Sequence, residues 1–165
     1  MIILVGGGSR SGKSAKALEI ARRYGPQRGF LATAQAFDDE MTERIRLHQA
    51  ERGDEFTTVE EPIHLGAAVL RVEGKLDVLV VDCLTLWLTN VMLSGAEVDM
   101  LAMLDTMAAS ALPCVLVTNE VGCGIVPENK LAREFRDRAG RLNQEAMARA
   151  EEGWFMVFGA GLRLK

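Results

Sequence analysis

Gly7-Gly8-Ser9-Arg10-Ser11-Gly12-Lys13-Ser14 carries the spacing G-x-x-x-x-G-K-[ST]. Glycines at these positions let the backbone curl with its amide protons pointing inward, and the N-terminus of a following helix adds partial positive charge. Lys13 then places a cation on the outer phosphates of a nucleoside triphosphate, and Ser14 offers a hydroxyl to Mg²⁺. The motif needs a strand before it and a helix after it, and Ile2–Val5 and Lys13–Tyr24 read as those elements. This segment is therefore a P-loop. Such loops work with an acidic residue at the end of a buried strand, and Val78-Leu79-Val80-Val81-Asp82 supplies one. Two roles for Asp82 stand open: orienting Mg²⁺ with Ser14, or capping a helix that begins near Leu84.

A second constellation lies between Asp38 and Arg52. Acidic residues lead and basic ones follow, as a helix dipole favours, and a helix over Asp39–Arg52 is expected. On it Arg44, His48 and Arg52 fall at i, i+4 and i+8, so the imidazole stands between two guanidinium groups. Flanking cations disfavour imidazolium, and a neutral ring is nucleophilic. His48 is then a candidate for covalent nucleotidyl transfer, the arginines holding the phosphate it attacks. The other reading places His48 on an apolar face with Met41 and Ile45. His64 follows Pro62 at a helix start without a cationic ridge and reads as structural.

The elements that must position these groups alternate in type. Short apolar runs, Ile2–Val5, Phe30–Thr33, Phe56–Val59, Val78–Asp82, Val115–Thr118 and Trp154–Phe158, read as strands. All but the Phe56 run are too uniformly apolar to have a wet face. A last run, Leu162–Lys165, fits an antiparallel edge strand. Helical periodicity marks Lys13–Tyr24, Pro62–Val72, Leu84–Leu93, Asp99–Ala111 and Glu128–Glu151, with Leu131, Phe135, Leu142 and Ala146 forming a stripe directed at the sheet. Pro62, Pro113 and Pro127 fall at segment boundaries, where a missing amide proton costs least. The pattern is that of an α/β domain with a mostly parallel sheet between helices, formed by residues 1–165 as one unit.

Composition narrows the classes of function. In 165 residues, 48% are hydrophobic and 25% charged, and the net charge is −4, which argues against a basic nucleic-acid platform. No apolar run approaches the roughly 20 residues of a membrane span. No basic leader precedes MIILV and no A-x-A-type cleavage site follows it, so a cytoplasmic location is expected. Cys83, Cys114 and Cys123 lack the spacing of a zinc or redox motif and are expected to be reduced and mostly buried. Met92, Leu93, Met100, Met103, Leu104 and Met107 form a stripe that suits either a subunit interface or core.

Taken together, GGGSRSGKS, ATAQAFDDEM at Ala32–Met41, the RIRLH ending in His48, VDCLTLWLTN at Val81–Asn90 and VTNEVGCGIVPENKLAREFRDRAGRLNQ at Val117–Gln144 resemble the bifunctional adenosylcobinamide kinase and adenosylcobinamide-phosphate guanylyltransferase family. The blocks run in family order over nearly the whole chain. P-loops occur in many unrelated NTPases, whereas TNEVGxGIVPEN followed by FRDxAGxxNQ is specific to this family.

The resemblance implies a RecA-like P-loop fold, a homotrimer and two consecutive reactions with ATP or GTP, GTP and Mg²⁺. The hydroxyl of adenosylcobinamide is phosphorylated, and adenosylcobinamide phosphate then receives GMP from GTP through a guanylyl-histidine. That histidine aligns with His48. Nucleotide contacts carried over by the resemblance fall on Gly7 to Ser14, on Ala32, Thr33 and Ala34, on Gln49, Ala50, Glu51 and Arg52, on Glu60 and on Asp82. The chain departs from some relatives in having Leu47 in place of a second histidine, Asp82 in place of Glu, and a less basic Gln49-Ala50-Glu51. Glu120 follows a predicted strand, where α/β sheets bind ligands, and suits either a base for the substrate hydroxyl or a structural hydrogen bond. Rival readings are a P-loop small-molecule kinase with no guanylyl transfer and a non-catalytic or DNA-dependent P-loop switch.

Overall fold

Period-two alternation in apolar runs buries both faces of a strand, and here it divides the core in two. A computed structural model describes residues 1–35, 43, 46 and 53–165. Strands β1 (Ile2–Gly7), β2 (Arg28–Ala32), β3 (Phe56–Glu60), β4 (Val78–Asp82), β5 (Cys114–Asn119), β6 (Glu152–Val157) and β7 (Ala160–Arg163) form one seven-stranded sheet in the order β3-β2-β4-β5-β1-β6-β7. Every pairing is parallel except β6 with β7. On one face Ile3, Val5, Val78, Val80, Val115 and Val117 meet Ala17, Leu18, Ile20 and Ala21 of α1 (Lys13–Ala21). On the other, Ile2, Leu4, Leu79, Val81, Cys114 and Leu116 pack under α2 (Leu65–Val72), α3 (Leu84–Ser94), α4 (Met100–Ala109) and α5 (Lys130–Arg149). This is the α/β P-loop architecture that the alternation of runs predicts.

The Phe56 run is the edge strand β3, with Thr57, Thr58 and Glu60 exposed, as its polar alternation predicts. Boundaries shift where a side chain takes over backbone bonding. The helix predicted from Pro62 begins at Leu65, because the Glu61 carboxylate accepts the amides of Ile63 and His64 and holds them in a turn. Asp99 and Asn129 cap α4 and α5, each accepting first-turn amides through its side-chain oxygen. The final strands also move. Phe158 is a turn residue, because Val157 pairs with Ala160 and leaves Phe158-Gly159 as a two-residue hairpin loop. Both have positive φ, 51° and 79°, the combination of a type I′ turn.

Of the predicted α5 stripe, Leu142 and Ala146 are buried and Phe135 half-buried, but Leu131 is 52% exposed and Ala139 takes the core position. The methionine stripe divides: Met103, Leu104 and Met107 are core, whereas Leu93 is exposed. Apart from Glu43 and Arg46, which are helical and joined by an ion pair of 2.7 Å, the predicted helix Asp39–Arg52 lies outside the described residues. So do His48 and Gln49 to Arg52. Among the described residues no helix is long and apolar enough to cross a membrane.

Leu116 sits at the centre of β5, between β4 and β1, with 0% of its surface exposed. Leu116→Ala is expected to cost about 2–5 kcal/mol through lost burial and the cavity left behind. A urea unfolding midpoint within error of the wild type would contradict this placement.

Candidate active site

The loop between β1 and α1 is shaped by close approach to β6. A Cβ built on Gly7 would lie 2.4 Å from the Met156 carbonyl oxygen, so only glycine fits. Gly12, at φ 96°, precedes α1 and gives it no side-chain cap, leaving the first-turn amides directed into the loop. The Lys13 ammonium donates to the Gly8 carbonyl at 2.6 Å and so lies over the loop. Burial, the dominant influence, lowers its pKa, opposed by the negative charge of Asp82. Ser9 and Arg10 are exposed, and Arg10 holds a left-handed φ of 54°. The Ser11 hydroxyl is buried and has no hydrogen-bond partner among the described residues.

Parallel register brings the remaining groups to the same edge. Ala32 pairs with Glu60 on one side and with Asp82 on the other, so the ends of β3, β2 and β4 present one row of residues. From the first turn of α1, the Ser14 hydroxyl donates to Asp82 Oδ2 at 2.9 Å, reaching past β5. Of the two roles open for Asp82, capping is taken by its neighbour: Cys83 is the N-cap of α3, and its sulfur accepts the Leu86 amide at 3.5 Å. Ser14 and Asp82 are hard oxygen donors of the kind that hold Mg²⁺ alongside phosphates and water. Among the described residues no three His, Cys, Asp or Glu side chains cluster into an all-protein metal cage.

Thr33 is one of the nucleotide contacts that the family resemblance implies. It is fully buried, and its hydroxyl donates to the Cys83 carbonyl at 2.9 Å and accepts the Cys83 amide at 2.8 Å. Its own amide donates to the Asp82 carbonyl at 3.2 Å. Thr33 thus holds the backbone on which Asp82 stands. Ala34 is half-buried beside it, and Glu60 is exposed at the sheet edge. One Glu120 carboxylate oxygen accepts the Gly122 amide, the structural bond of its two readings, while its backbone amide donates to the Gly7 carbonyl at 3.0 Å.

Sequence reasoning passed over a buried polar layer behind this edge. Asn90 donates to the carbonyls of Thr33 at 2.8 Å and Pro62 at 3.2 Å. The Thr85 hydroxyl accepts the Asn119 amide at 2.8 Å, and Asn143 accepts from Thr118 at 2.6 Å while donating to the Asn119 carbonyl. The available signal was polar residues among the apolar positions of α3: Thr85 and Asn90 lie among Leu84, Trp87, Leu88 and Val91.

A model of the family described as cobinamide kinase / cobinamide phosphate guanyltransferase matches residues 3–164. The bifunctional adenosylcobalamin biosynthesis protein CobU of Salmonella typhimurium is 41% identical, with 100% of both chains covered. The Escherichia coli protein of the same name is 40% identical over the same coverage. The bifunctional adenosylcobalamin biosynthesis protein CobP of Pseudomonas aeruginosa is 42% identical, covering 98% of this chain and 96% of its own. Among solved structures, the P4 protein from bacteriophage phi6 in complex with ADP aligns with 98% of this chain and 53% of its own length. That alignment has 13% identity and a TM-score of 0.45, a likeness too distant to bear on function.

Two measurements probe this geometry. Thr33→Val orphans the Cys83 amide and carbonyl and is expected to cost about 1–3 kcal/mol per group, with Thr33→Ser close to wild type. Equal urea midpoints for the two variants would refute the clamp. Burial pushes the Cys83 thiol up to about 11 and the Cys114 thiol up to about 12, whereas Cys123 is exposed. A thiol reagent at pH 8 should therefore label one cysteine quickly in native protein and all three after unfolding; rapid native labelling at Cys83 or Cys114 would contradict their burial.

Proposed function

The chain belongs to the cobinamide kinase / cobinamide phosphate guanyltransferase family and is a bifunctional kinase and guanylyltransferase of adenosylcobalamin biosynthesis; we propose how its residues divide the two reactions. The observation that carries the reading is the full-length family match joined to a P-loop whose Ser14 meets Asp82 at 2.9 Å. In the kinase step, the loop amides from Gly7 to Ser14 and the Lys13 ammonium hold the phosphates of ATP or GTP. The aminopropanol hydroxyl of adenosylcobinamide attacks the γ-phosphorus, the bond from that phosphorus to the β–γ bridging oxygen breaks, ADP or GDP leaves, and the hydroxyl proton passes to water. Ser14 and Asp82 would hold Mg²⁺, whose positive charge would offset the negative charge that develops on the phosphates.

In the transfer step, an imidazole nitrogen of His48 attacks the α-phosphorus of GTP and pyrophosphate leaves. An oxygen of adenosylcobinamide phosphate then attacks the same phosphorus, the P–N bond breaks, and adenosylcobinamide-GDP forms with His48 restored. Gln49 to Arg52 follow His48 directly and, with Ala32, Thr33, Ala34 and Glu60 at the ends of β2 and β3, contact the guanylyl group. Residues 1–165 act as one catalytic domain, without nucleic acid, in a cytoplasmic homotrimer. The acidic net charge of −4 supports small-molecule over nucleic-acid substrates.

The reading predicts that protein mixed with Mg²⁺ and GTP labelled at the α-phosphate retains acid-labile label, and that His48→Ala does not. Lys13→Ala should lower phosphorylation of adenosylcobinamide by about 10²-fold or more. Wild-type protein that binds GTP without retaining label would remove the histidine route, and an unimpaired Lys13→Ala kinase would remove the P-loop route.

A further inference from the structure

Phe158 stands at the tip of the β6–β7 hairpin, 99% exposed. Its φ of 51° is a conformation that costs a bulky residue on the order of 1 kcal/mol or more. The other non-glycine residue with positive φ among the described residues is Arg10, inside the P-loop. The two turns touch: the Gly159 amide donates to the Ser11 carbonyl at 3.1 Å, and a Cβ built on Gly12 would lie 3.4 Å from Gly159 Cα. One turn along α1, the Lys16 ammonium lies 4.3 Å from the Trp154 ring centroid and ties the helix to β6. The hairpin is thus docked on the phosphate loop at several points, and its aromatic tip is left uncovered.

The sheet order gives the bound nucleotide a direction. Asp82 ends β4 and meets Ser14 from one side of the loop, whereas β6 and β7 lie on the other side of β1. With its outer phosphates at the Ser14–Asp82 end, a bound triphosphate would direct its nucleoside toward the hairpin. There the protein offers a flat π surface held in a strained conformation, a combination that marks functional positions.

We propose that the Phe158 ring is the stacking platform for the base of the nucleoside triphosphate held by the P-loop. The proposal rests on the P-loop being the nucleotide site. Because every base has a π face, the platform serves adenine and guanine alike, which suits a kinase step open to ATP or GTP.

The test measures binding of GTP, ATP and inorganic tripolyphosphate to wild type, Phe158→Gly, Phe158→Trp and Lys13→Ala by calorimetry. Glycine suits the left-handed backbone, so Phe158→Gly removes the ring without straining the turn. Expected is a loss of about 5- to 100-fold for GTP and ATP together in Phe158→Gly, unchanged tripolyphosphate binding, and near wild-type behaviour in Phe158→Trp. If Phe158→Gly binds GTP as wild type does while Lys13→Ala loses both GTP and tripolyphosphate, the platform is wrong and the P-loop reading stands. If Lys13→Ala keeps both ligands, the P-loop reading falls and the platform with it. Parallel loss of tripolyphosphate in Phe158→Gly, or a change in its sedimentation coefficient, would assign the ring to loop structure or a subunit contact and overturn the proposal.

Discussion

Parallel register gathers the described part of the site. Strands β2, β4, β5 and β1 run side by side in one direction, so their C-terminal ends share one edge, and each chain segment leaving that edge delivers a polar group to the same place. Asp82 and Ser14 are 68 residues apart in sequence yet lie within hydrogen-bond distance. An antiparallel arrangement would send alternate ends to opposite edges. The apolar runs of β1, β4 and β5 thus do more than fill a core: by demanding helices on both faces they impose crossover connections, and crossover connections impose a single functional edge.

That edge needs rigidity that apolar packing cannot supply, because backbone groups where strands end have lost their ladder partners. Thr33, Thr85, Asn90, Thr118 and Asn143 supply the missing bonds from buried or half-buried side chains. Each of these groups costs desolvation when buried, which is repaid only when its bonds are complete. Here they form a connected layer from β2 through α3 to β5 and α5. The layer lies under the residues that would meet substrate, so displacing one member transmits to Asp82 through the backbone of Cys83.

Legibility from sequence followed the range of the interaction involved. The P-loop, the acidic end of β4 and the alternation of strands and helices are local patterns, and all appear where the sequence places them. Helix starts were read less well, because Glu61 captures two amides that a periodicity argument assigns to a helix. Thr33 was legible as a member of a family block, but its place beneath Asp82 depends on pairing between β2 and β4, which no local pattern encodes. Leu131 keeps perfect helical phase with the buried Leu142 and still lies exposed, because phase fixes the side of a helix and says nothing about how far the sheet beneath it extends. The Phe158-Gly159 turn is the reverse case. Phe158 reads as the end of an apolar strand, and only the register of β6 with β7 shows it to belong to a tight loop.

Charge imposes the last constraint on how such a site binds polyphosphates. The protein carries a net charge of −4, and Glu60, Asp82 and Glu120 all lie at strand ends on the functional edge. The long-range field therefore repels the anionic substrates, and attraction must come from groups acting within a few ångströms. Loop amides and the start of α1 act at that range, and so does Lys13, whose desolvation makes its charge interact more strongly with a phosphate than an exposed ammonium would. Local attraction against a repulsive background selects for ligands that reach into the loop and complete its hydrogen bonds.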